Sequence, residues 1–158
     1  MPSKVKIYIT LDTILESKNC LYLINNNLNK TNNFFIQSLN DIYKEFKSLV
    51  DIVIISKEKD NKIYEFIKTL DFKFKYEFKF ATDEEILKLH SKFCKDYVLI
   101  DMDDELLTKW TKLNGKSIRY INVNNPEKST FELLKIKNNH TSSNDYYQKL
   151  VDYIHLCH

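Results

Sequence analysis

A chain of 158 residues with 43% hydrophobic and 13% aromatic side chains can bury roughly two thirds of its unfolded surface in one core, so wholesale disorder is excluded and a single domain spanning 1–158 is expected. Lys and Arg number 24 against 22 Asp and Glu, a formal net charge of +2, which gives no clear signal for nucleic acid. No apolar run approaches the ~20 residues that a membrane span needs, so no membrane association is expected.

Along the chain, residues 5–11 alternate Val5, Ile7, Ile9 and Leu11 and predict a first strand that ends at Asp12. The start, Met1-Pro2-Ser3-Lys4, leads into that strand without a secretory apolar region, and a cytoplasmic location is expected. Residues 16–33 are polar around an apolar island, 20–24, and give no clear periodicity. From Phe35 onward Leu39, Ile42, Tyr43 and Phe46 recur at helical spacing. Residues 51–55, Asp-Ile-Val-Ile-Ile, then form a short buried strand ending at Ser56.

Ile63, Phe66, Ile67 and Leu70 mark the next helix, and Phe72, Phe74, Tyr76, Phe78 and Phe80 alternate with Lys73, Lys75, Glu77 and Lys79 as a strand with one polar face. Thr82-Asp83-Glu84-Glu85 has the form of a capping box, so a helix begins there and runs toward Phe93. A buried strand over 97–100 ends in the acidic run Asp101-Met102-Asp103-Asp104-Glu105. The following helix carries Leu106, Leu107, Trp110 and Leu113, with Gly115 as its stop. A strand over 118–123 halts at Asn124-Asn125-Pro126, and Ser143 opens a last helix with Tyr147, Leu150, Val151 and Ile154 on its buried side.

Strands alternating with helices predict an α/β, three-layer, Rossmann-like fold: a mostly parallel sheet with helices on both faces. Ligands of such sheets bind beyond the carboxyl ends of the strands, which directs attention to residues 10–13, Ser56-Lys57, 101–104 and 122–125. Carboxylates ending separate strands are costly to place together unless a cation or a phosphoryl group compensates them. The single glycine, Gly115, excludes both the dinucleotide fingerprint and the P-loop, each of which needs several glycines. Cys20, Cys94 and Cys157 are dispersed and read as free thiols, and the terminal His155-Leu156-Cys157-His158 reads as a helix end, since no further paired ligands support a zinc site.

The order of these motifs resembles the haloacid-dehalogenase superfamily, and within it the 5'(3')-deoxyribonucleotidase-like branch. Thr10-Leu11-Asp12-Thr13-Ile14-Leu15 aligns with the opening Asp-x-Asp-Gly-Val/Thr-Leu motif, and Ser56 with the Ser or Thr ending the second strand. Leu99-Ile100-Asp101-Met102 aligns with the family's later Leu-Ile-Asp-Asp segment, Trp110 with the Trp beyond it, and Gly115-Lys116-Ser117-Ile118 with the Gly-Lys-Ser-Ile-like strand. The resemblance implies a Mg2+-dependent phosphohydrolase-related protein that acts on or binds a nucleotide or other small phosphate monoester.

By its roles Asp12 is the acid/base, Thr10 stands at the nucleophile position, and Ser56 with Lys92 (His90 and Lys88 being its neighbours) holds phosphate. Asp12, Asp101 and Asp103 hold the metal, Asp103 or its neighbour Asp104 standing in because Met102 replaces the second acid. Residues 16–46 correspond to a reduced cap. A hydroxyl at position 10 cannot attack as a carboxylate does, so weak or lost activity is expected. The alternative is a pseudo-phosphatase that serves as a binding or interaction module with a protein partner. Two rival placements are weaker: Asp101-Met102-Asp103-Asp104 as the opening motif itself, which leaves too little chain for the rest of a site, and a receiver-like domain with Asp101 as phosphoryl acceptor, which lacks a pair of acids on the first strand.

Overall fold

The computed structural model describes residues 4–28, 33–89, 97–113, 116–119 and 143–157. Five parallel strands form one sheet: β1 (Val5–Thr10), β2 (Val50–Ser56), β3 (Tyr76–Phe80), β4 (Tyr97–Asp101) and β5 (Lys116–Arg119), in the order β3-β2-β1-β4-β5. The inner strands are short β-branched runs, and both of their faces are covered. Val5, Ile7 and Ile9 of β1, Val50, Ile52 and Ile54 of β2, and Val98 and Ile100 of β4 enter one hydrophobic cluster, while Tyr8, Val53, Ile55, Tyr97 and Leu99 enter a second on the opposite face. This is the near-continuous apolar signature of a parallel sheet buried on two sides.

Helices are divided between the faces. Among the described residues, five helices lie over the first cluster: α1 (Leu11–Leu15), α2 (Cys20–Asn25), α3 (Asn33–Phe46), α4 (Asn61–Ile67) and α7 (Ser143–Cys157). Over the second lie α5 (Asp83–Lys88) and α6 (Asp104–Lys112). The chain thus winds outward from β1 through β2 to β3 over one face, then returns beside β1 as β4 and winds the other way. The strand order reverses between β1 and β4, the place where a doubly wound sheet opens a crevice at its carboxyl edge.

The expected three-layer architecture is therefore present, and several boundaries differ for local reasons. Leu11 is not the end of the first strand; Thr10 caps α1 by accepting from the Thr13 amide at 3.4 Å, so the strand gives way to a helical turn one residue early. The apolar island at 20–24 is α2. Only the second half of the aromatic run is strand: Phe72 and Phe74 precede β3 and stack in series with Tyr76, with Phe72 and Phe74 centroids 5.2 Å apart. The capping box is formed, since Thr82 accepts from the Glu85 amide and Glu85 reaches back to the Thr82 amide. Gly115 and residues 120–125 lie outside the described residues.

Of the segment 16–46, α3 is a layer of the core rather than a cap, because Leu39, Ile42 and Phe46 face the sheet. The scarcity of glycine also leaves a mark. Glu16, Asn27 and Lys47 take positive φ angles of 55°, 53° and 41° where helices and turns end, a left-handed conformation that costs a side-chain-bearing residue on the order of 1 kcal/mol.

Candidate functional site

Parallel strands deliver their last residues to one edge. The register pairs Ile9 with Ile100, which sets Thr10 level with Asp101 across the β1–β4 switch, and strand alternation turns both side chains toward the face that carries Tyr8 and Leu99. Thr10 and Asp101 are both fully buried. Thr10 Oγ1 donates to Asp101 Oδ1 at 2.6 Å, and Thr13 Oγ1 lies 2.8 Å from Thr10 Oγ1 and 3.4 Å from Asp101 Oδ1. Since Thr10 has one proton and gives it to Asp101, the Thr13 hydroxyl is the donor in its contacts.

Lys57, the residue just beyond β2, leans across this edge. Its Nζ lies 2.8 Å from Asp101 Oδ2, 3.2 Å from Asp83 Oδ1 and 3.9 Å from Asp12 Oδ2. Burial by itself would lower the Lys57 pKa, but the charge of Asp101, its hydrogen bond, and the charges of Asp12 and Asp83 outweigh that and raise it. The ammonium is therefore a fixed positive charge among three carboxylates.

Asp12 sits in the first turn of α1 with its Oδ1 accepting from the Cys20 thiol at 3.3 Å. Burial, the largest cause, pushes the Asp12 carboxyl from 3.8 up to about 6; Lys57 and the Cys20 thiol oppose this, while Asp101 and Glu58 add to it. Burial, with the charge of Asp12 second, likewise pushes the Cys20 thiol far above its ordinary range, which keeps it protonated and donating.

The sign of the Asp12 displacement sets a pH dependence of stability. Between pH 3.8 and about 6 the folded chain holds a proton that the unfolded chain has released, so this group's contribution is fully present below the lower value and is lost as pH rises to the upper one. At ~1.36 kcal/mol per pH unit the whole loss is roughly 3 kcal/mol. Asp12→Asn should therefore gain stability relative to the parent chain between pH 4 and pH 7, by up to roughly 3 kcal/mol in paired urea titrations. A stability difference that does not change with pH would show that the carboxyl titrates normally.

The expected site residues are thus partly assembled. Thr10, Asp12 and Asp101 converge, bridged by Lys57. Ser56 is also buried at this edge, but its hydroxyl donates to the Glu58 carbonyl at 2.6 Å and so braces its own loop. Asp103 does other work: its Oδ1 accepts from the Glu105 and Leu106 amides at 3.0 and 3.2 Å as the cap of α6, and its Oδ2 lies 3.7 Å from Lys18. Burial alone would raise the Asp103 pKa, yet the Leu106 amide and the charges of Lys18 and Lys57 hold it below its ordinary value. Lys92 and His90 lie outside the described residues.

Cys20 and Asp83 go beyond the sequence expectation, while Thr13 and Lys57 lie in strand-end segments that it singled out without giving them a role. Lys57 and Asp83 carried a usable signal, since each stands just beyond the carboxyl end of a predicted strand. Asp83 reads first as a capping-box residue, which hides its second contact.

Magnesium, which the resemblance implies, can be tested against these donors. The ion demands a near-octahedral shell of oxygens at about 2.0–2.1 Å. Position 10 supplies a neutral hydroxyl, both Asp101 oxygens are already engaged, one by the Lys57 ammonium, and Asp103 is committed to backbone amides. Among the described residues no three His, Cys, Asp or Glu side chains come together in a way that could hold a metal ion. The donor set does not fit magnesium, and the physical reason is that a cation from the chain itself stands against the carboxylates.

Fold and site together define a doubly wound α/β protein with a lysine–carboxylate cluster at the topological switch point. Neither a family model nor a curated protein matches the chain. Among solved structures, it is similar to the HAD domain of the effector protein Lem4 from Legionella pneumophila, an inactive mutant, at 14% identity and a TM-score of 0.49, over 94% of this chain and 98% of that one. A likeness so distant leaves the chemistry to the residues of this chain. No helix among the described residues is long and apolar enough to cross a membrane.

Proposed function

We propose that this chain is a haloacid-dehalogenase-like protein that has given up phosphoryl transfer and serves as a binding or interaction module. The observation that carries the reading is Thr10. At the position where the family places its nucleophilic carboxylate stands a fully buried hydroxyl whose proton goes to Asp101 at 2.6 Å and which also accepts from the Thr13 hydroxyl. It has neither the charge nor the exposed face that attack on phosphorus requires. The ligand class that goes with the resemblance is a nucleotide or another small phosphate monoester, and a protein partner is the other class such a scaffold takes.

A slow phosphatase is the second reading, and one observation favours it: Asp12, at the acid/base position, has a carboxyl raised to about 6, near the range that suits proton transfer at neutral pH. Both readings meet in one assay. With magnesium, the protein should release no phosphate from p-nitrophenyl phosphate or a panel of nucleoside monophosphates above an Asp12→Asn control. Loss of a nucleophile in other enzymes costs on the order of 10⁴- to 10⁶-fold in rate. Turnover that Asp12→Asn abolishes, with a pH dependence set near 6, would establish the phosphatase instead.

A further inference from the structure

We infer that Lys57 is the resident cation of this site, a covalently tethered ammonium that does for the strand-tip carboxylates what a dissociable metal ion would otherwise have to do. The inference stands apart from the proposed function, because it concerns what holds the acids together and not what the edge binds.

Three observations carry it. The first is electrostatic necessity. Asp101 is 0% and Asp12 5% exposed, and two carboxylates so placed on adjoining elements are strongly unfavourable without a compensating charge. The second is geometry. The Lys57 ammonium touches carboxylates from three separate elements, 2.8 Å from the tip of β4, 3.2 Å from the first turn of α5 and 3.9 Å from α1, and it arrives from a fourth, the end of β2. A group that gathers four elements in this way occupies the position of a bridging ion. The third is donor chemistry. The hydroxyl of Thr10 removes one acid from the edge, and Lys57 adds one positive charge to it. Both changes move the edge toward positive charge, so that the buried carboxylates Asp12 and Asp101 face an ammonium supplied by the chain itself.

Being attached to the backbone, such a cation never dissociates, and chelators have nothing to remove. A second cation, in turn, would have to displace Lys57 or share Asp101 with it. The prediction is that the parent chain neither needs nor gains from a divalent metal, and that removing the ammonium creates a demand for one.

The test is thermal unfolding of the full chain at constant ionic strength in EDTA and across a millimolar range of MgCl2 and MnCl2, for the parent, Lys57→Met and Lys57→Arg. The parent and Lys57→Arg should melt within about 1 °C of themselves in every condition. Lys57→Met should melt lower in EDTA and recover with Mn2+ in a saturable manner, by roughly 3 °C for each tenfold excess over its Kd. The bound ion should also register as loss of the free Mn2+ electron paramagnetic resonance signal at one equivalent.

Saturable stabilisation of the parent by either metal overturns the inference. So does a folded Lys57→Met that ignores Mn2+. Should Lys57→Met fail to fold, the parent decides alone: indifference to both metals and to EDTA upholds the inference, and a metal-dependent melt rejects it. Phosphate release by a parent chain that shows no metal-dependent melt would defeat the proposed function and leave Lys57 in its role.

Discussion

Replacing Asp101 by alanine is expected to lower the stability by about 3–4 kcal/mol, because it removes the common acceptor of a buried network. Two effects compete. Deleting a fully buried carboxylate relieves its desolvation, which favours the variant. Against that, the Thr10 and Thr13 hydroxyls lose the Oδ1 on which they converge, and Lys57 loses its shortest partner at 2.8 Å. Stranded buried donors and a half-paired buried charge win such contests. The cost falls toward the lower end because Asp83 and Asp12 remain beside the ammonium. Asp101→Asn should lose less than half as much, since its amide can donate to Thr10 while its oxygen still accepts from Lys57. Urea unfolding at neutral pH measures both, and a loss below about 1 kcal/mol in the alanine variant would mean that these contacts are not a network at all.

Trp110→Ala is the largest single core loss to expect, about 3–5 kcal/mol. The side chain is fully buried and meets Tyr8 edge to face, with centroids 5.9 Å apart at 73°. It also packs in the cluster of Val53, Ile55, Ile86, Leu99, Leu106 and Leu107. Among the described residues that face of the sheet is covered by α5 and α6 alone, so little neighbouring side chain is on hand to refill the space. For a domain of this size the melting temperature should fall by roughly 10 °C. The effect reaches the site through α6, whose start carries Asp103 and whose anchoring steadies the turn after Asp101. Differential scanning calorimetry gives the magnitude; a variant that melts within a degree or two of the parent would show that the tryptophan lies over the sheet without filling it.

Much of the architecture was legible in the sequence because the inner strands are short, largely apolar runs rich in Val and Ile. The runs at 5–9, 50–55 and 97–100 can satisfy their apolar surface only between two layers of helix. The helices α3, α6 and α7 announce their buried faces by spacing. What sequence could not give was anything decided by contact between distant segments. The aromatic run at 72–80 has perfect alternation, yet its first half is held by ring stacking rather than by a ladder. Asp103 has the residue type of a metal ligand, and only the position of the α6 amides shows that it is a cap. Lys57 looks like any lysine after a strand. Its role depends on carboxylates 45 residues before it, 26 residues after and 44 residues after, a meeting that no local pattern encodes.

The distances along the chain between the partners bear on how the protein comes into being. The bond from Thr10 to Asp101 spans 91 residues, and that from Lys57 to Asp101 spans 44. At a ribosomal pace of roughly 5–20 residues per second, some 5–20 seconds separate the emergence of β1 from that of β4. Throughout that interval β1 has one flank open, and the nascent chain is a sheet of at most three strands that lacks the fourth. The strand-tip cluster therefore cannot form before β4 is made, and it acts as a clasp that closes only once the fourth strand has arrived.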